Sequence, residues 1–408
     1  MTDKLKPWCY LALATAAQMS TAFISLGVAS LIPFLVHPLK LTTAEVGLTG
    51  GAVNVGMMAL ALPAGYLADR YGEKRVLAAA CLLTGLSVMA ASVMQTFPGL
   101  YAVLLFTGFW AGSVTPAGSK LVAIWFPAGG LGFAQSVRQT GVTMGGLLAA
   151  LLLPFLATRT EWHQAFFLSG LPGLLAALSV GLFYRQAPVG QSPTAGPAGW
   201  QTVLETLLDR DVWLTCLTGM FFVGGQFILL SYLQLFLHSR LHLPDLSTGR
   251  FLAVLILAGT GGRIFWGFVS DRWFGGGRKP VLVMAGGVTA AASLAMLLVR
   301  PPTPLPAVVA LTFLLGFAGL GWNGVYVTLL SELGAARSAA ATAVGVGISL
   351  MQLGVLVLPP LFGYLVDRSH AYRDSWWFMA AVLVLGSVLG GLVREKGRLI
   401  RPGSADVG

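Results

Sequence analysis

Gly65-Tyr66-Leu67-Ala68-Asp69-Arg70-Tyr71-Gly72-Glu73-Lys74-Arg75 is the stretch whose reading decides the fold, and Gly267-Phe268-Val269-Ser270-Asp271-Arg272-Trp273-Phe274 is its partner in the second half of the chain. Each closes a long apolar run with a glycine, then a carboxylate followed at once by a cation. The first continues into Gly72-Glu73-Lys74-Arg75, the second into Gly275-Gly276-Gly277-Arg278-Lys279. The same chemistry at matching places in two halves is the mark of an internal repeat.

Around these stretches the chain is mostly apolar. Of its 408 residues 56% are apolar and 10% charged, against about 25% charged in a soluble domain. About 20 apolar residues carry a helix across a hydrocarbon core about 30 Å thick. Twelve such spans are predicted: 9–36, 44–68, 76–97, 100–126, 132–157, 164–184, 211–237, 247–270, 279–299, 305–331, 339–366 and 375–394. The fifty-two glycines suit helices that approach one another closely. Cys9, Cys81 and Cys216 stand alone in separate spans, so neither a disulfide framework nor a zinc site is expected.

A net charge of +10 would suit a nucleic-acid binder if the cations formed one patch, but they do not. Placing the N-terminus inside puts fifteen basic residues on the inner side, among them Arg70, Arg75, Arg272, Arg278 and Arg337, and seven outside, from Lys40 to Arg373. That bias predicts both termini in the cytoplasm. The first apolar run is a full span without a small-residue cleavage site, so it is expected to be retained. The stretch Ala187–Pro197, rich in Pro, Gly and Ser, reads as a linker. After it, Trp200, Val203, Leu204, Leu207 and Leu208 share a helical face, which predicts a short amphipathic helix on the membrane surface. The expected organisation is a six-helix bundle over 1–184, a linker over 185–210 and a second bundle with its tail over 211–408.

With these residues in place, the chain resembles the major facilitator superfamily, whose loop between helices two and three reads G-x-L-A-D-R-x-G-x-[KR]-R. The first stretch fits closely, the second in part, and the resemblance covers essentially the whole chain. It implies an all-α membrane protein of twelve helices in two pseudo-symmetric bundles. It also implies that Gly65, Asp69, Arg70, Gly72 and Arg75, with Gly267, Asp271 and Arg272, form gates that lock in one state and break in another. Independently of the name, Asp69 is suited to the positive end of a neighbouring helix, and Arg70 to exposed carbonyls or an acidic partner. Glu332, at the inner end of helix ten, is expected to join this gating with a motif arginine. The run Gly363–Arg368 looks like a third copy, but topology puts it at the outer end of helix eleven, where it supports an outer-face contact or simply ends the helix. Two departures matter. The buried arginine often found in helix four is missing from Leu104–Trp110, and the Gly141, Gly145, Gly146 and Pro154 pattern of helix five reads as packing.

Lys120, Arg138 and Arg263 are the ionisable residues placed well inside the spans, on the order of 10–12 Å from the inner helix ends at 1.5 Å per residue. An intramembrane charge costs at least about 2.5–3.5 kcal/mol and so faces a partner, a wet cavity or a substrate. With no acidic residue at similar depth, an anion would balance them. The pattern Gly262-Arg263 followed by Gly267 and Ser270-Asp271-Arg272 looks like helix eight of facilitators that carry monocarboxylates, oxalate, cyanate or nitrate, where the arginine contacts the anion. Nitrate is disfavoured because Met57–Leu62 lacks the second arginine of that subgroup. Other readings stay open: Arg263 on a carbonyl or on Asp271, Arg138 in a structural bond beside Gln135 and Gln139, and Lys120 snorkelling past Trp125. Gln226, Tyr232, Trp322, Asn323, Tyr326 and Gln352 are candidates to complete the pocket, each with packing as its alternative. The five histidines map to the outer side, so no central histidine relay is expected.

The sequence thus leads to a secondary transporter moving a small organic anion, a carboxylate, across a bacterial cytoplasmic membrane by alternating access. Proton symport is expected, with protons and lipids as partners, no nucleic acid, no cofactor and a monomeric state. A multidrug or metabolite efflux antiporter of the same fold is the rival, although no acidic residue lies in the cavity. A transport-inactive sensor would carry a signalling extension, and only ten residues follow Arg398. A phosphate-binding G-x-x-x-x-G-K-[ST] loop is missing, which excludes an ATP-driven pump. No nucleophile with a histidine partner, metal cluster or carboxylate pair stands within the spans, so no enzyme is expected.

Overall fold

A computed structural model describes residues 5–186, 200–241, 245–369 and 371–395. The linker stretch 187–197, His242, His370, Lys4, Lys396, Arg398 and Arg401 lie outside the described residues.

Among the described residues, twelve helices are long and apolar enough to cross a membrane: Lys6–Phe34, Glu45–Tyr71, Glu73–Ala91, Phe97–Trp125, Gly129–Arg159, Trp162–Phe183, Arg210–Leu241, Gly249–Arg272, Lys279–Leu298, Leu305–Ala335, Ala340–Ser369 and Arg373–Gly391. They are called the first to twelfth spans below. In lipid every backbone polar group must be satisfied within the protein, which makes the helix the element of choice. Local signals then set the ends. Thr42 and Glu45 form a capping box: the Thr42 amide donates to the Glu45 carboxylate at 2.8 Å, and the Glu45 amide donates to the Thr42 hydroxyl at 3.3 Å.

The spans pair in the same way in each half. The first packs on the fifth, the second on the fourth and the third on the sixth; the seventh packs on the eleventh, the eighth on the tenth and the ninth on the twelfth. Contacts between the halves repeat the symmetry, second with eleventh against eighth with fifth, and fourth with eleventh against tenth with fifth. Lipid supplies no hydrophobic drive between helices, so close packing through small residues holds them. Gly65 sits against the backbone of Ala341 and Thr342, and Gly267 against Gly132 and Ser136.

Three spans that the sequence treats as continuous are interrupted, the sixth among them, as Trp162–Ser169 and Leu171–Phe183. The fourth consists of Phe97–Ala111 and Val114–Trp125, the tenth of Leu305–Gly319 and Asn323–Ala335. The short helix before the seventh span is present as Trp200–Leu207. It turns buried Val203 and Thr206 to the protein and leaves Leu204 and Leu208 exposed. Asp209 then caps the seventh span, accepting from the amides of Asp211 at 2.7 Å and Val212 at 3.2 Å, and pairs with Arg337.

Candidate functional site

Two locks join the halves at the end of the bundle that carries the Asp-Arg motifs. The second span runs to Tyr71, so Asp69 lies inside a helix rather than in a loop. Its buried carboxylate reaches the start of the eleventh span, accepting from the Thr342 amide and hydroxyl at 2.8 Å each and from the Ala341 amide at 3.3 Å. A carboxylate on unpaired amides at a helix N-terminus gains both hydrogen bonds and the helix dipole. The Lys120 ammonium stands 3.2 Å from Asp69 Oδ1 and donates to the carbonyls of Ala68 at 3.0 Å and Asp69 at 3.3 Å. This corrects two expectations. Lys120 does have an acidic partner, and its ammonium sits on the lock rather than at a headgroup or in the anion pocket.

The second lock repeats the first with different parts. Asp271 accepts from the Phe133 amide at 2.7 Å, at the start of the fifth span. It also pairs with Arg278, whose guanidinium reaches Glu332 at 2.8 Å and the Ser270 hydroxyl at 2.8 Å. Arg278, 1% exposed, is the hub of this lock. The positive-φ glycines Gly275 and Gly276 turn the chain so that Arg278 returns toward Asp271. Glu332 therefore pairs with Arg278, while Arg272 stands exposed, as does Arg75. Among the described residues Arg70 meets neither carbonyls nor an acid: it donates to the Tyr66 hydroxyl at 2.5 Å and lies over the Tyr66 and Tyr71 rings, because its helical position faces outward. Gly72, at φ 93°, makes the turn between the second and third spans.

Farther in, two buried guanidinium groups rest on neutral oxygens. Arg138, 0% exposed, donates to Gln135 at 3.0 Å, to Gln18 of the first span at 2.6 Å and to Ser119 of the fourth at 2.8 Å. Arg263, 1% exposed, donates from Nε to the Leu320 carbonyl at 3.1 Å and from Nη1 to the Gln139 carbonyl in the other half. Its Nη2 makes no hydrogen bond among the described residues, and neither arginine has a carboxylate partner there. The Leu320 carbonyl is free to accept because the tenth span breaks at that point. It also accepts from Asn323 Nδ2 at 3.2 Å, and Asn323 in turn donates to Gln226 at 3.0 Å. Arg138, Gln139, Arg263, Leu320, Asn323 and Gln226 thus form one chain of polar contacts and sequence neighbours across the two halves.

The remaining candidates scatter. Trp322 donates to the Gly319 carbonyl at 3.0 Å and packs edge-on against Phe222 and Tyr326. Tyr326 is buried with an unbonded hydroxyl. Gln352 reaches Met57 across the halves at 3.4 Å to sulfur, and Tyr232 packs on Phe362, apart from the arginines. Gln18, Ser119, Thr342 and the Arg278 hub went unrecognised in the sequence. A lone glutamine in an apolar first span was the available signal for Gln18.

The model of the Major Facilitator Superfamily matches residues 11–351. The chain belongs to the major facilitator superfamily. The probable sulfoacetate transporter of Cupriavidus necator is 25% identical over 87% of this chain and 86% of its own length. The cis,cis-muconate transport protein of Acinetobacter baylyi is 24% identical over 88% and 87%. Among solved structures, a proton:xylose symporter, XylE, superposes with a TM-score of 0.74 at 16% identity, covering 95% of each chain, and supports the fold alone. This facilitator is an integral membrane protein of twelve spans, and its family and relatives are transporters.

Proposed function

We propose that this facilitator is a secondary transporter of a small organic anion, a carboxylate, moved with a proton across a bacterial cytoplasmic membrane by alternating access. The observation that carries the reading is the pair Arg138 and Arg263, buried on neutral oxygens with Arg263 Nη2 unused. A guanidinium holds a carboxylate through two parallel N–H bonds, which orients it as well as attracting it. The names of the sulfoacetate and muconate relatives agree with an organic acid. Charge bias puts the motif end in the cytoplasm, so the locked state opens to the other side, and the chain acts as a monomer.

Arg263 then couples binding to movement. In the locked state it stitches the eighth span to the Gln139 carbonyl of the fifth. An arriving carboxylate competes for that guanidinium, frees Gln139 and weakens the seam between the halves. A co-transported proton offsets the substrate's charge.

The test is a thermal-stability screen of purified protein against small carboxylates, inorganic anions and cationic drugs, repeated with Arg263→Ala, followed by uptake in proteoliposomes with and without an imposed proton gradient. A ligand bound to the folded state raises its stability by mass action. Stabilisation by particular carboxylates in the parent alone, with uptake accelerated by the gradient, supports the reading. Stabilisation by cations or neutral drugs alone, equal in both proteins, overturns it in favour of efflux.

A further inference from the structure

Two side-chain amides tied to the buried arginines are held by their oxygens, which leaves their nitrogens for a ligand. A guanidinium can only donate, so the oxygen of Gln18 is the end that faces Arg138. Gln18 Oε1 accepts from Arg138 Nη1 at 2.6 Å and from the Thr115 hydroxyl at 3.3 Å. The second amide is fixed one step further back. A carbonyl can only accept, so Asn323 turns Nδ2 toward the Leu320 carbonyl at 3.2 Å, and the same Nδ2 donates to Gln226 Oε1 at 3.0 Å. Among the described residues neither Gln18 Nε2 nor Gln226 Nε2 makes a hydrogen bond. Both glutamines are buried, at 6% and 8% exposed, yet neither nitrogen is one of the sealed unbonded polar atoms, so each still reaches open space. A polar donor in so apolar a setting seeks an acceptor.

The two nitrogens belong to opposite halves. Gln18 lies on the first span beside Arg138, and Gln226 on the seventh, joined through Asn323 and the Leu320 carbonyl to Arg263. The charges agree with two acceptors. Lys120 is balanced by Asp69, whereas Arg138 and Arg263 have no carboxylate partner among the described residues, and a single acid group would balance only one of them.

We propose that the substrate is an organic dianion that bridges the halves, one acid group on Arg263 Nη2 and the Gln226 amide, the other on the Gln18 amide. This rests on the carboxylate reading of Arg263. Arg138, 0% exposed with Nε, Nη1 and Nη2 all engaged, is a positioning residue: it aims and polarises Gln18 and supplies the balancing charge from behind. A monoanion fills the site of one half and leaves the other unsatisfied.

The experiment is calorimetric titration of the purified full chain with the straight-chain dicarboxylates from malonate to adipate. Each is compared with its half-amide, which keeps the length and one acid group, at a pH where every free acid group is ionised. For at least one length the parent should bind the diacid about ten-fold tighter, the surplus of a charge-assisted hydrogen bond over a neutral one. Gln18→Glu keeps an acceptor on Arg138 but turns a carboxylate toward the second group, so the preference should invert by about the same factor, the half-amide now donating to that carboxylate. Gln18→Leu should remove the preference, and Gln226→Leu should weaken diacid and half-amide alike. A merely structural glutamine would move both affinities together and leave their ratio. Equal binding of every diacid and its half-amide by the parent, or a ratio unchanged in a folded Gln18→Glu protein, overturns the bridging dianion and leaves the carboxylate site standing. If neither series binds the parent, or both bind as well after Arg263→Ala, the carboxylate reading itself fails and this inference falls with it.

Discussion

Asp69→Asn tests the first lock most directly. The side chain keeps its size, loses its charge and turns an amide donor toward groups that are themselves donors, the Thr342 and Ala341 amides and the Thr342 hydroxyl. Two costs follow, and only one moves the equilibrium. Lys120 loses its partner, but both residues belong to the same half, so that loss falls on locked and opened states alike. The bonds to Thr342 and Ala341 cross between the halves and exist in the locked state. A hydrogen bond to a charged group is worth about 1.5–3 kcal/mol, so losing that charge assistance costs the locked state about 2 kcal/mol, or roughly thirty-fold in population. Spin labels at Tyr71→Cys and Ala336→Cys, in a Cys9→Ser background that leaves buried Cys81 and Cys216 in place, report the separation of the halves by pulsed dipolar spectroscopy. The long-distance population should grow by that factor, and Thr342→Val should give a smaller shift in the same direction. A distance distribution unchanged by Asp69→Asn in a protein that still folds refutes the lock.

The other expectations follow the same physics. Gly267→Val places a side chain 2.7 Å from the Gly132 carbonyl and from Ser136 Cβ; overpacking costs about 1–3 kcal/mol, so the same spin-label pair should show the motif end opened. Arg138→Lys should lower thermal stability by about 2 kcal/mol and abolish carboxylate-induced stabilisation, because an ammonium cannot span Gln18, Gln135 and Ser119 as a planar fork does. Burial alone would raise the Asp209 carboxyl, but the Val212 amide, Arg337 and the Asp211 amide outweigh it and hold it below the usual carboxylate range. A lowered folded value means stability that is full above the ordinary aspartate range, about pH 4, and lost as pH falls through the folded value. Melting temperatures of parent and Asp209→Asn should differ by a constant amount above about pH 5 and converge in acid.

Apolar length made the twelve spans legible, and the repeated Asp-Arg signature marked two places where the halves meet, since both are local properties of the chain. The partners of the buried charges were not local. Arg138 bonds to Gln18 and Ser119, on two other spans, and nothing in its own helix announces either. Apolar length ends the second span at 68 and leaves Lys120 without an acidic partner; three more helical residues carry Asp69 inside, within reach of the ammonium. The Arg278 hub depends on positive φ at two glycines, a turn that a charge count treats as loop. The pocket's shared acceptor, the Leu320 carbonyl, exists because the tenth span breaks, and apolar periodicity runs straight through that break.

The two locks also differ in how they meet water. The Asp69 side chain is 0% exposed beside Lys120, whereas the Glu332 carboxylate that completes the other lock is 33% exposed. Mobile ions screen exposed charges over about 8 Å at physiological ionic strength and hardly reach buried ones. Added salt therefore weakens the Arg278–Glu332 pair and spares the Asp69–Lys120 pair. A molecule built almost as its own twin thus carries one lock in reach of solvent ions and one kept dry.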